Sequence, residues 1–250
     1  MEAQATFGVG SDAYARNRPR YPAELFAWIA GQCASRDVAW DCATGNGQAA
    51  VEIARLFRTV EATDVSRTQL EQAFTAPNVR YSVRPAEATG FDPGQFDLVT
   101  VAQALHWFDL DRFWREVRRV ARPGAFFCAW GYHGFETDAE LAAAFVDPLE
   151  EALEPFWAAN NRLLWRGYLS DEIRFPFQRV SAPAFAIEVE WPAATVVDYL
   201  RTWSAYKRAM ENEAARRRIE TLEAEATRRF PDGRRFTLRM PLTVAAGVIG

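Results

Sequence analysis

A strand that ends in an acid, passes through two glycines and restarts at once as a helix leaves a chain few folds to choose from. Val38-Ala-Trp-Asp41-Cys-Ala-Thr-Gly45-Asn-Gly47-Gln48 is such a segment. It opens a regular alternation. Asp37 to Asp41 reads as a short strand. Gly47 to Phe57 reads as a helix, with Ala50, Ile53, Ala54 and Phe57 on one face. Thr59 to Asp64 is the next strand, and Ser66-x-x-Gln69 is a capping box for a helix through Phe74. Val79 to Val83 and Phe96 to Ala102 follow as strands. Asp109 caps a helix that puts Leu110, Phe113, Trp114, Val117 and Val120 on one face. Arg122-Pro123-Gly124 reads as a turn before a buried strand, Ala125 to Trp130. Strands and helices at this spacing make βαβ units, hence an α/β, doubly wound parallel sheet covered on both faces.

The flanks are less regular. Residues 1–20 read as an Arg-rich arm, in which Ser11 caps a short helix through Arg16. A helix from Pro22 to about Cys33 turns Leu25, Phe26 and Ile29 inward. Residues 134–180 read as a helical insertion rich in aromatics, with a fresh helix start at Asp147-Pro148, packed over one end of the sheet rather than forming a separate domain. Residues 182–191 alternate as a strand. Thr195-x-x-Asp198 caps a long helix carrying Val196, Tyr199, Leu200, Trp203 and Met210, and Phe236 to Val244 is the last strand.

Composition narrows the function classes. With 250 residues, 49% hydrophobic and 25% charged, the chain can bury a full core without disulfides or metal. A net charge of −4 argues against nucleic acid as main partner. Cys33, Cys42 and Cys128 form no CxxC and fit a reducing compartment, so the expectation is a cytoplasmic protein. No apolar leader and no run of 18 apolar residues is present, so no membrane partner is expected. Lys207 is the single lysine. The Arg clusters at 216–218, 228–229 and 234–235 interleave with Glu and read as solvated helix faces.

Glycines let the backbone turn sharply and let a ligand approach it, and the carboxyl ends of parallel strands are where ligands bind. Asp64 ends the next strand 19 residues after Gly45, where a carboxylate accepts from ribose hydroxyls. Gly45-x-Gly47-x-x-Ala50 also fits the dinucleotide fingerprint, so an NAD-dependent oxidoreductase is the rival reading. Asp41 weighs against it: a carboxylate ahead of the loop repels a pyrophosphate but suits a ligand bearing an amino group and a sulfonium. A third reading keeps the nucleoside site without catalysis.

Six segments in order resemble the class I S-adenosylmethionine-dependent methyltransferases, in particular small-molecule enzymes similar to trans-aconitate methyltransferases. Asp41-x-x-x-Gly45-x-Gly47-Gln48 resembles the family's D-x-x-x-G-T-G-Q loop, with Ala43 at a position that is often Gly. Asp64, with Val65 beside it, matches the ribose-binding acid, and Ala86-Glu87 the segment that contacts adenine. Ala102-Gln103-Ala-Leu-His106-Trp107-Phe-Asp109 resembles the segment lining the methyl-transfer site. Arg122-Pro123-Gly124 resembles the L-x-P-G-G turn, and Tyr14-x-x-x-Arg18-Pro19 the arm that closes over the methionine end. The resemblance implies a Rossmann-like, mostly parallel seven-stranded sheet with the helical insertion as lid. It also implies S-adenosylmethionine as cofactor, a small-molecule methyl acceptor and a monomer or homodimer.

An activated methyl needs alignment and exclusion of water more than acid–base help. His106 is the candidate for a titrating or hydrogen-bonding role, with fixing the loop as its bland alternative. Trp107, His133, Tyr199 and Trp203 are the candidates for the acceptor wall, and Trp130, Trp165 and Trp191 are expected near the same rim.

Overall fold

The computed structural model describes residues 19–168, 171–231 and 233–250. The expectations at Tyr14, Arg18 and the Ser11–Arg16 helix lie outside the described residues. The first helix, α1 (Ala23–Gln32), buries Leu25, Phe26 and Ile29 as the spacing predicts. Then come β1 (Val38–Cys42), α2 (Gln48–Ile53), β2 (Thr59–Asp64), α3 (Arg67–Glu71), β3 (Val79–Val83), β4 (Phe96–Ala102), α4 (Leu110–Val120) and β5 (Ala121–Gly131). Strands β1 to β5 pair in parallel. The Ser66 hydroxyl accepts from Gln69 N at 3.4 Å and the Asp109 carboxylate from Arg112 N at 3.2 Å, so both caps form as read.

The full sheet has seven strands in the order β3-β2-β1-β4-β5-β9-β6. Here β9 (Thr243–Val248) runs antiparallel to β5, and the short β6 (Gln178–Arg179) antiparallel to β9. Helices cover both faces. Trp40, Phe96, Phe113 and Phe127 pack on one side. Leu25, Phe26, Ile53 and Trp130 pack on the other. This is the doubly wound, Rossmann-like arrangement expected from the alternation.

A second core lies outside the sheet. It joins the helices α5 (Ala139–Leu141) and α6 (Asp147–Leu153) to α8 (Ala193–Leu200), α9 (Ser204–Ala209), α10 (Glu213–Arg229) and a two-stranded sheet, β7 (Ala186–Pro192) with β8 (Arg235–Pro241). Between α6 and α8 lies α7 (Asn161–Trp165). The first part of the insertion, through Leu141, Phe145, Leu149 and Leu153, therefore shares one core with residues 187–240, whereas its later residues Leu164, Tyr168, Ile173 and Phe177 pack in the core of the sheet.

Several boundaries differ from the sequence reading. Phe236–Val244 is not one strand but parts of two, β8 and β9, in different sheets. Their burial separates them: Phe236, Leu238 and Met240 of β8 alternate inward, whereas Ala245, Ala246 and Gly247 of β9 are buried in a row. The long helix expected from Thr195 starts earlier, after Pro192, and breaks at Trp203, whose backbone is extended (φ −68, ψ 141). Thr202 helps end it by donating its hydroxyl to Tyr199 O at 2.6 Å. The Arg122-Pro123-Gly124 turn is an irregularity inside β5, between the pairs Phe96↔Ala121 and Leu98↔Phe126. Asp147-Pro148 does not start a fresh helix. It continues the run through a π-helical stretch, Ala142–Val146, beside a proline that cannot donate a helical hydrogen bond. The helices expected to reach Phe57 and Phe74 end at Ile53 and Glu71.

Candidate active site

The glycine loop is a backbone structure first. Ala43, Gly45 and Gly47 all have positive φ (53, 57 and 79). That is free for glycine and costs about 1 kcal/mol for alanine. Asp64 fixes the loop to the next strand: its Oδ2 accepts from Gly45 N and its Oδ1 from Ser66 N, both at 2.8 Å. At Gly47 an added Cβ would lie 2.1 Å from the Tyr81 hydroxyl, which donates to Phe74 O at 2.6 Å. Gly47 is thus demanded by a close approach as well as by its φ.

Asp41 lies beneath the loop with none of its surface exposed. Its Oδ2 accepts from the Thr44 hydroxyl at 2.5 Å and its Oδ1 from the Thr100 hydroxyl at 2.7 Å. Burial raises its pKa to about 6, against the lowering effect of the two hydroxyls. Burial raises the Asp64 carboxyl too. Beyond Asp64 the strand ends present apolar surface: Val65 is 43% exposed and Val83 45%. Ala86 is buried, and Glu87 accepts from Asp109 N at 3.1 Å. Asn46 is buried in the loop, and its Nδ2 has no hydrogen-bond partner among the described residues.

The other half of the site is a cavity of about 880 Å³ where the sheet meets the second core. Gln103, His106, Trp107, His133, Tyr199 and Trp203 all line it, so six residues chosen from sequence come to one cavity. Gln103, itself at φ 56, ties β4 to β5: its Nε2 donates to Tyr132 O at 3.1 Å and its Oε1 accepts from Tyr132 N at 3.2 Å. The glycine loop, Gln48, Asp64, Ala86 and Glu87 lie outside this lining, along the same strand ends.

His106 is buried, and its Nδ1 is 2.8 Å from the Tyr168 hydroxyl. Burial lowers its pKa to about 4, and lowers that of His133 as well. Sequence reasoning did not single out Tyr168 as a site residue. No motif marks it, because only the fold of the insertion brings it to β4. Asn161 and Trp157 line the cavity for the same reason. Trp165 does too, as expected, but Trp130 does not: it is fully buried with Tyr21 and Phe26 against its ring. Trp191 packs on Tyr199 outside the lining.

Residues 40–129 match the family described as a methyltransferase domain. A Dictyostelium discoideum protein named as a methyltransferase is 31% identical over 207 residues, covering 80% of this chain and 77% of that one. The chain belongs to the class I S-adenosylmethionine-dependent methyltransferases. An uncharacterized methyltransferase of Mycobacterium tuberculosis is 35% identical over 178 residues, 67% of this chain and 72% of its own. A solved structure from Anaeromyxobacter dehalogenans, described as a type II methyltransferase, superposes with a TM-score of 0.83 at 38% identity, covering 93% and 98% of the two chains. The nicotinamide reading of the glycine loop is set aside by these findings, and the protein is an enzyme that uses S-adenosylmethionine. The loop fits that cofactor on its own terms: exposed Val65 offers an apolar face for a base, Asp64 keeps acceptor capacity for ribose hydroxyls, and the Asn46 amide lacks a partner. Among the described residues no group of acids, histidines and cysteines is placed to hold a metal, and no helix is long and apolar enough to cross a membrane.

Proposed function

We propose that this methyltransferase acts on a small-molecule acceptor held in the cavity, by in-line displacement. One observation carries the reading: a cavity of about 880 Å³ whose lining includes Gln103 and His106, the segment that leaves β4 beside the glycine loop. A volume of that order suits a small molecule rather than a polymer. The bound cofactor supplies a methyl already activated on a sulfonium sulfur.

The chain's own residues then have three tasks. Asp64, Glu87 and Val65 hold the nucleoside, and Gly45, Gly47 and Gln48 take the amino-acid end. Asp41 stiffens the loop through Thr44 and Thr100. Tyr168 orients His106 through Nδ1 and leaves Nε2 for a hydrogen bond with the acceptor; at a pKa near 4 it is a weak base. Trp107, Tyr199 and Trp203 exclude water and align the acceptor.

Calorimetry with S-adenosylhomocysteine tests the cofactor half. Asp64→Ala leaves two amides unpaired and removes the ribose acceptor, so affinity drops ~100-fold or more. Unaltered affinity in that variant would remove the basis for the assignment. His106→Ala is expected to keep S-adenosylhomocysteine affinity and lose methyl transfer.

A further inference from the structure

We propose that the acceptor this cavity selects carries an organic cation as its binding handle, an ammonium on an apolar or aromatic body, rather than a carboxylate. The proposal rests on the methyltransferase reading of the same site and adds its substrate class.

The first observation is the charge of the cavity's border. Asp147, Glu150 and Glu154 line it from one helical run and recur at intervals of three and four residues, on one face. Like charges at that spacing repel, and among the described residues none of the three is in an ion pair. Glu136 and Glu151 also line the cavity, but each is already paired, with Arg239 at 3.0 Å and Arg218 at 2.5 Å. Lys207 is the only Lys or Arg among the described lining residues. His133 and His106 face the same space and are held neutral by burial. Among the described residues the border is therefore net negative. A polycarboxylate would meet three unneutralised acids there, whereas a cation would relieve their mutual repulsion.

The second observation lies deeper and is independent of the acids. Asn161 is only 6% exposed, lines the cavity, and its Oδ1 has no hydrogen-bond partner among the described residues. A buried amide oxygen without a donor is costly, and an N–H from a ligand satisfies it. Beside it Trp157 meets Trp165 at 5.6 Å and Trp203 at 5.5 Å between ring centroids, a set of faces suited to a cation and its apolar body. Glu150 borders the sheet side of this space: its Oε1 lies 3.5 Å from where a Cβ on Gly134 would stand.

The test uses two probes that share a ring and differ in charge, phenethylamine and phenylpropanoate. Each is titrated into the full-length protein, with and without S-adenosylhomocysteine, and binding is read by calorimetry. The expected result is at least ~10-fold tighter binding of the amine. Glu150→Gln and Asn161→Leu should each lose most of that preference, with melting temperature not lowered and S-adenosylhomocysteine affinity unchanged. Equal or tighter binding of the carboxylate, as a Lys207-centred site would give, overturns the proposal. So does an amine that fails to bind at millimolar concentration. Loss of S-adenosylhomocysteine binding would instead count against the cofactor assignment, and the titrations without it still read the charge preference.

Discussion

The two ends of this site are built by different physics. At the glycine loop the partners are main-chain groups: Gly45 and Ser66 amides on Asp64, Thr44 N on Thr63 O, Phe74 N on Asn46 O. In the acceptor cavity they are side chains brought from 103–107, 132–136, 147–165 and 199–207. Backbone geometry tolerates little change, because a positive φ strains any residue but glycine and, at Gly47, an extra methyl meets Tyr81. A wall of aromatic rings can repack, so it tolerates substitution in stability and registers it in selectivity.

Changes at the loop should therefore cost most. Gly47→Ala places a methyl against the Tyr81 hydroxyl at φ +79, and we expect a loss of ~3 kcal/mol or more in urea unfolding. Gly45→Ala has open space around its Cβ and bears only the φ cost, roughly 1 kcal/mol. If the two variants unfold alike, steric approach is not what demands Gly47.

Asp41 gives a pH signature. Its folded pKa, about 6, lies above the unfolded value near 3.8, so between these pH values the folded state holds more protons. Stability from this group thus falls as pH rises from 4 to 6. Asp41→Asn removes that dependence, so its stability relative to wild type should improve across the window, by on the order of 3 kcal/mol at most. His106 has the opposite sign: its folded pKa is lowered to about 4, so its contribution is lost as pH falls from 6.5 towards 4. Thermal melts of both variants against pH should diverge in opposite directions.

At the cavity, Tyr168→Phe removes the hydroxyl that orients His106. Methyl-transfer kcat/KM should fall roughly 10-fold, about 1.4 kcal/mol, with S-adenosylhomocysteine affinity unchanged. A matching fall in cofactor affinity would mean that the two ends are coupled. The smallest effect belongs to the exposed Glu136–Arg239 pair. Glu136→Gln should change stability by less than ~1 kcal/mol.

The comparison also explains what could be read in advance. Asp64, Gly45 and Gly47 are legible because a tight turn and a strand end constrain residue type locally, whatever the rest of the chain does. The caps at Ser66 and Asp109 are legible for the same reason. Asn161, Tyr168 and Trp157 carry no such mark, since their neighbours are distant in sequence. The break at Trp203 was hidden as well: helical spacing continues through it, and the extended turn that ends α8 shows only in the packing of Trp203 on Tyr199 and Trp157. Trp130 and Trp203 look alike as sequence, yet one is core and the other lines the cavity.

The amino-acid order alone determined the alternating sheet, the glycine loop after its first strand and the carboxylate that ends the second, because hydrogen-bonding and steric rules act over a few residues. Tertiary structure alone decided the fate of the Asp41 carboxylate, the neutral state of His106 and the charge of the cavity's border. Those depend on desolvation and on groups far apart in the chain, and such proximity exists only once the two cores have closed on each other.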